Sequence, residues 1–196
     1  MPSNKAPTVL AICGSLRQGS TNRKILDMAV AGARSAGADV VEVDLRDYPM
    51  APYNEDDQNR DGLPATAVRL RRMVFDCDGL LLAVPEYNRS LPGGFKNIID
   101  WISRRDAQGP LSVCCFKGKY VALMAASSGI GGGRRALDEM RLIMTTFGSH
   151  VLTEQVSLPS ARAVFDGGGP TDPKLRPTVE ALGARLIQVI DAFRSR

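Results

Sequence analysis

Cys13-Gly14-Ser15-Leu16-Arg17-Gln18-Gly19-Ser20-Thr21-Asn22-Arg23 lies between an apolar run, Val9 to Cys13, and a segment of helical period. A strand that enters a glycine- and hydroxyl-rich turn and leaves it as a helix gathers unpaired backbone N–H groups around one point, at the positive end of the helix dipole. Such a point holds an anion. The spacing narrows which one. The triphosphate-loop pattern G-x-x-x-x-G-K-[ST] runs along Gly14 to Thr21, but Ser20 stands where the lysine belongs. The dinucleotide fingerprint G-x-G-x-x-G fails too, because Leu16 occupies the second glycine position. What remains suits one terminal phosphate held by the hydroxyls of Ser15, Ser20 and Thr21, the Asn22 amide and the Arg17 guanidinium. The same residues also permit an ordinary β-α turn in which Ser or Asn caps the helix.

Outward from this turn the chain alternates. Val9 to Cys13 is a short continuous apolar run, as a parallel strand buried on both faces requires. Ile25, Ala29 and Ala33 then fall on one face of a helix from about Thr21 to Ala36, stopped by Gly37. Val40, Val41 and Val43 make a second strand, with Asp44 as a strand-end cap. Leu45 to Pro64 carries Pro49, Pro52, Asn54, Gly62 and several carboxylates and reads as one long loop, of a length that tends to cover a site or a partner surface. Ala65 to Phe75 is helical. Gly79 to Val84 is the most apolar run and the expected central strand, and the turn Pro85 to Gly94 leads into a helix with Phe95, Ile98, Ile99 and Ile102 on one face. Tyr120 to Ala126 is a fourth strand, opening into Ser127 to Gly133 and a helix marked by Leu137, Met140 and Met144. Val151 to Val156 is a fifth, Ala161 to Pro173 an irregular connection, and Val179, Leu182, Leu186, Val189, Ile190 and Phe193 line one face of the last helix. Five β-α alternations predict an α/β fold: a flavodoxin-like three-layer sandwich with a five-stranded parallel sheet of order 2-1-3-4-5.

Composition excludes several classes of protein. The 196 residues suit a single domain, 1–196, with a real core. No apolar run reaches the ~20 residues of a membrane span, and Met1 to Pro7 has no secretory apolar region, so the expected location is cytoplasmic. Cys13, Cys77, Cys114 and Cys115 lack metal or C-x-x-C spacing and read as reduced, mostly buried thiols, while the lone His150 offers no metal site. The net charge is +4 and the pI near 9.0. The cations are nevertheless scattered; the densest cluster, Arg69, Arg71 and Arg72, reads as a solvated helix face. No basic stripe with interleaved aromatics marks a nucleic-acid partner. The excess positive charge fits anionic small molecules instead.

In an open parallel sheet, ligands lie beyond the carboxyl ends of the strands where the strand order reverses. The turns after the first, third and fourth strands all end there. One supplies a phosphate seat; the others supply backbone amides, small residues and Tyr87. A ligand with one phosphate and a flat heterocycle, such as FMN, fits this division better than a dinucleotide.

At these residues the chain resembles the NADPH-dependent FMN reductase family of flavodoxin-like proteins, which includes bacterial quinone, chromate and azo-dye reductases. The likeness rests on Gly14-Ser15-Leu16-Arg17-x-x-Ser20-x-Asn22, on Pro85-Glu86-Tyr87-Asn88-x-Ser90-x-Pro92 followed by Lys96-Asn97 and Asp100-Trp101, and on Ser127-Ser128-Gly129 with Gly132-Gly133. It implies that Ser15, Arg17, Ser20 and Asn22 hold the FMN phosphate. Pro85, Glu86, Tyr87, Asn88 and Arg89 would then run along the isoalloxazine ring, with Ser127, Ser128 and Gly129 on its other side. It further implies NADPH or NADH as hydride donor, a small-molecule electron acceptor, and a homodimer or homotetramer in which Trp101 and its helix are interface candidates. Gly94 beside Gly93 departs from the larger residue that opens this helix in many relatives. Two rival readings remain: a flavodoxin-type electron carrier, which is usually acidic and lacks a phosphate-loop arginine, and a nucleotide-binding protein that has lost its lysine.

Overall fold

The computed structural model describes residues 5–104, 114–166 and 169–194. Five parallel strands, β1 (Thr8–Cys13), β2 (Asp39–Val43), β3 (Gly79–Ala83), β4 (Tyr120–Ala126) and β5 (His150–Leu158), pair in the order β2-β1-β3-β4-β5. This is the order expected from the sequence. The residues of β1 show why two layers of helix are needed. Val9, Ala11 and Cys13 are buried on one face and Leu10 and Ile12 on the other, because successive side chains of a strand point to opposite sides.

Helices α1 (Thr21–Ser35) and α7 (Leu175–Arg194) cover the face that carries Val9 and Ala11. Helices α3 (Ala65–Asp76), α4 (Gly93–Ser103) and α5 (Arg134–Thr146) cover the other. Helix α1 ends in a Schellman turn. Gly37 adopts φ +95°, its N–H donates to Arg34 O at 2.9 Å, and Ala38 N–H donates to Ala33 O at 3.1 Å. The crossing of α1 with α7 brings backbone against backbone: a Cβ on Gly32 would lie 1.9 Å from Glu180 O, and one on Gly183 2.0 Å from Ala29 O. Only two glycines facing each other allow that approach.

Several expectations are corrected. Leu45 to Pro64 is not one structureless loop. It holds a 3₁₀ turn (Leu45–Asp47), capped by Asp44 Oδ1 on Arg46 N–H at 3.0 Å, and a helix α2 (Glu55–Asp61) capped by Asn54 Oδ1 on Asp56 N–H at 3.0 Å. The carboxylates read as loop residues are the first-turn anions of this helix, where the dipole favours them. Arg71 is not on a solvated face; it is 1% exposed and donates from Nη1 to Ile102 O at 2.8 Å, joining α3 to α4. Trp101 is packed inside the chain. Its ring is 3% exposed, its Nε1 donates to Ala51 O at 2.8 Å, and it meets Tyr53 edge-on at 5.0 Å. The Ala161 to Pro173 connection contains helix α6 (Ala161–Val164) and a small hairpin of β6 (Phe165–Asp166) and β7 (Gly169–Pro170). Residues 167–168 of that connection and residues 1–4 of the N-terminal stretch lie outside the described residues. On α7, Val189 is half-buried and Phe193 is exposed beside Tyr120, so neither belongs to the buried face.

The thiols follow their burial. Cys13, Cys77 and Cys115 are buried and Cys114 is half-buried, and all four are free. Desolvation pushes the Cys13 thiol up, and Cys77 up to about 12. Among the described residues no group of side chains has the makings of a metal site, and no helix is long and apolar enough to cross a membrane.

Candidate functional site

The carboxyl ends of β1, β3 and β4 meet at one edge of the sheet. Gly14 N–H donates to Ala83 O at 2.9 Å and Val84 N–H to Met124 O at 2.8 Å, so the three turns leave from one hydrogen-bonded platform. Gly14 is required here for space: a Cβ would lie 2.3 Å from the Phe95 ring and 2.9 Å from Pro85. Above the platform lies a cavity of about 270 Å³ lined by Ser15, Arg17, Ser20, Thr21 and Asn22 from the first turn, Pro85, Glu86 and Tyr87 from the second, and Ser127 and Ser128 from the third. Ten of the residues singled out in the sequence therefore converge on one space.

The donors in that space are of one kind. Ser20 precedes α1 but makes no side-chain cap, and the first backbone bond of the helix is Lys24 N–H to Ser20 O at 3.1 Å. The amides of the first turn are therefore left to an external acceptor. The guanidinium of Arg17 lines the cavity and, among the described residues, makes no hydrogen bond or ion pair. Arg162 on α6 does the same, and the sequence reading missed it. Its only sequence signal is a cation shortly after the Pro159-Ser160 exit of β5, and two strands, β3 and β4, stand between β5 and β1. The one carboxylate at the edge, Glu86, is already engaged: Oε2 accepts from Arg135 N–H at 3.1 Å and from Ala136 N–H at 3.5 Å, capping α5. Two cations unpaired among the described residues, together with free helix amides and hydroxyls, give this space the chemistry of an anion site.

Other site residues play different parts from those expected. The Asn22 amide is not free to grip a ligand. It is 5% exposed, donates from Nδ2 to Ala126 O at 2.8 Å and accepts at Oδ1 from Ala126 N–H at 2.9 Å. It clamps the end of β4 to the start of α1; only its backbone belongs to the phosphate turn. Asn88 and Arg89 do not line the cavity. They are the two central residues of a hairpin turn, at φ +52° and +68°, closed by Tyr87 N–H to Ser90 O at 3.0 Å and Ser90 N–H to Tyr87 O at 3.1 Å. Asparagine tolerates that region of backbone space; arginine is held there under strain. Glu139 anchors the hairpin by accepting from Ser90 Oγ at 2.8 Å and Leu91 N–H at 3.2 Å. Gly129 also stays outside the lining; its carbonyl accepts from Ser160 N–H at 3.1 Å, bracing the third turn against the exit of β5.

A second, larger cavity of about 620 Å³ adjoins the first, and Tyr87, 52% exposed, borders both. It extends under Leu16 and between the segment Leu45 to Met50 and the start of α4.

Residues 7–163 match the family model for NADPH-dependent FMN reductase. The chain belongs to the NADPH-dependent FMN reductase family. Its relatives include the NAD(P)H-dependent FMN reductase of Pseudomonas aeruginosa, 37% identical over 174 residues, which are 88% of this chain and 89% of that protein. The quinone reductase of Escherichia coli K12 is 34% identical over 146 residues, covering 74% of this chain and 73% of the relative. Among solved structures, the flavoenzyme NAD(P)H:(acceptor) oxidoreductase FerB from Paracoccus denitrificans superposes with a TM-score of 0.77 at 27% identity, covering 95% of this chain and 98% of that one. Family membership sets aside the reading of the first turn as a triphosphate loop without its lysine.

Proposed function

We propose that this chain is an FMN-dependent oxidoreductase that takes hydride from NADPH or NADH and delivers electrons to a small-molecule acceptor. The observation that carries this reading is the uncapped start of α1 facing the unpaired guanidiniums of Arg17 and Arg162 across one cavity at the switch point of the sheet. The residues present fit the cofactor. The first-turn amides of α1, the hydroxyls of Ser15, Ser20 and Thr21, and the two guanidiniums hold its phosphate; the turns at Pro85 to Tyr87 and Ser127 to Ser128 flank its ring system. When bound, FMN supplies the redox chemistry, accepting hydride from a nicotinamide and passing electrons to the second substrate.

The protein's own residues bind and orient. The tightly paired Tyr87–Ser90 hairpin, fixed to α5 through Glu86 and Glu139, presents Tyr87 at the boundary of the two cavities without freedom to drift. Glu86 Oε2 is held against the first amides of α5 by Arg135 N–H and Ala136 N–H. The chain would act in the cytoplasm as a homodimer or homotetramer.

Arg17→Ala is expected to weaken FMN retention by about 1.5–3 kcal/mol, the range for a hydrogen bond to a charged group, while thermal unfolding of the flavin-free protein stays unchanged because Arg17 is exposed and unpaired. Fluorescence titration of the released flavin measures it. Equal retention in variant and parent would show that Arg17 does not face the phosphate. The reading as a whole is tested by adding NADPH to the purified yellow protein without oxygen. Loss of flavin absorbance is the expected result; an unchanged spectrum would return the chain to the electron-carrier class.

A further inference from the structure

The turn that feeds β4 carries two adjacent thiols, at the end of the sheet opposite the cavities. Cys114 is half-buried and Cys115 is 1% exposed. Cys114 O accepts from Lys117 N–H at 3.1 Å and Phe116 O from Ser149 Oγ at 2.7 Å, so the turn is pinned in place. The Cys115 thiol lies between two acceptors, Ile102 O at 3.3 Å and the Cys114 sulfur. Ile102 O also accepts from Arg71 Nη1 at 2.8 Å, so a buried guanidinium and a buried thiol meet at the last turn of α4. Arg104 stands at the same helix end, where Nε donates to Asp100 O at 3.0 Å and Nη2 to Ser103 Oγ at 3.2 Å. This setting makes the two sulfurs unequal. The Cys115 thiol as donor, followed by Phe116 N–H and the guanidiniums of Arg71 and Arg104, brings the Cys114 thiol down to about 6, while the same hydrogen bond and burial push Cys115 up. A thiolate within reach of solvent beside a protonated thiol out of its reach is the arrangement of an attacking and a resolving sulfur.

We propose that Cys114 and Cys115 form an oxidation site for hydroperoxides, in which Cys114 is the attacking sulfur and Cys115 closes a vicinal disulfide with it. Cys114 Sγ attacks one oxygen of the peroxide; an S–O bond forms as the O–O bond breaks, the sulfur gives up two electrons, and the departing oxygen takes a proton from solvent. Cys115 Sγ then attacks the Cys114 sulfur. The S–S bond forms as the S–O bond breaks, and the leaving hydroxide combines with the Cys115 proton as water. Cys115 needs no path to solvent, because its target is its neighbour. Adjacent Cα atoms lie about 3.8 Å apart across a trans peptide, below the about 4.4–6.8 Å usual for a disulfide, so the bridge is strained and returns readily to two thiols. The site acts apart from the flavin: the seven residues of β4 separate it from the third turn, about 20 Å at ~3.3 Å per residue.

Cys13 and Cys77 serve as internal controls, since both are buried and their thiols are pushed up. The flavin-loaded protein is treated in the dark, without NADPH, with one equivalent of hydrogen peroxide. It is then unfolded, its free thiols are blocked with iodoacetamide, and the peptides are weighed. The peptide holding Cys114 and Cys115 is expected to lose two hydrogens and to escape blocking, to regain both thiols on treatment with dithiothreitol, and to leave Cys13 and Cys77 fully blocked. In Cys115→Ala the first step should run without the second, so that dimedone captures a sulfenic acid at Cys114 that it does not capture in the parent. Cys114→Ser should consume peroxide at its thiols at least tenfold more slowly, with flavin content and melting temperature retained. An unchanged Cys114-Cys115 peptide in the parent would overturn the proposal, and so would sulfenic or sulfinic acid accumulating there without the bridge. Oxidation of Cys114→Ser at the parent's rate would overturn it as well. The parent peptide and Cys114→Ser carry the test if Cys115→Ala does not fold. Because no nicotinamide is present, the outcome is independent of whether NADPH reduces the flavin.

Discussion

Replacing Asn22 by alanine is expected to cost on the order of 3 kcal/mol of stability and to abolish stable flavin retention. The reason is the double hydrogen bond between its amide and the backbone of Ala126, a residue 3% exposed. Alanine would leave a buried N–H and a buried C=O without partners, each costing roughly 1–3 kcal/mol. The clamp also sets the position of the third turn relative to the phosphate turn, so its loss should loosen the cavity along with the fold. Urea unfolding measures the first effect and the absorbance ratio of flavin to protein the second. Asn22→Asp is the informative companion. It keeps the acceptor for Ala126 N–H but loses the donor to Ala126 O, and should fall between parent and alanine. A variant as stable and as yellow as the parent would show that the amide does not join the two elements.

Gly183→Val is expected to leave the chain unfolded or insoluble. Overpacking a core typically costs 1–3 kcal/mol because side chains shift to make room. Here the atom struck is the carbonyl oxygen of Ala29, 2.0 Å from the new Cβ, and a helix backbone has no rotamer to change. Helices α1 and α7 must separate, and that exposes Ile25, Ala29, Leu182 and Leu186, which are buried on their facing sides. The cost should therefore exceed the ordinary range, with Gly32→Val behaving alike through Glu180 O. Circular dichroism and soluble yield decide. Gly94→Ala, at a glycine with open space, should leave both unchanged. Normal folding of Gly183→Val would mean that the two helices cross farther apart than described.

These two positions show what could be read from the sequence and what could not. The sheet order and the three turns were legible because continuous apolar runs and glycine-rich breaks are local signals. The Gly32 and Gly183 contact was not legible, since 151 positions separate them and only the crossing of two helices gives either glycine a reason. Asn22 was placed correctly at the site, yet its amide was assigned to the phosphate; its true partner lies 104 residues away at the end of another strand. Glu86 lines the cavity as expected, and its second contact, with the first amides of α5 49 positions away, has no local signal. Arg162 carried no motif, because a cation contributed from beyond the fifth strand becomes part of the first turn's cavity only when the sheet closes over it. The second cavity was half legible: the length of the segment after β2 pointed to a covered site, but no local signal joins that segment to the start of α4.

The central claim is that the turn after β1 grips a single phosphate by means of the α1 amides, Arg17 and Arg162. The most direct test is to titrate the flavin-free protein with FMN and with riboflavin, which differ only by that phosphate, and to follow flavin fluorescence. The account predicts that FMN binds at least 100-fold more tightly, a difference of about 2.7 kcal/mol, with the gap narrowing in Arg17→Ala. Equal affinity for the two flavins would contradict it.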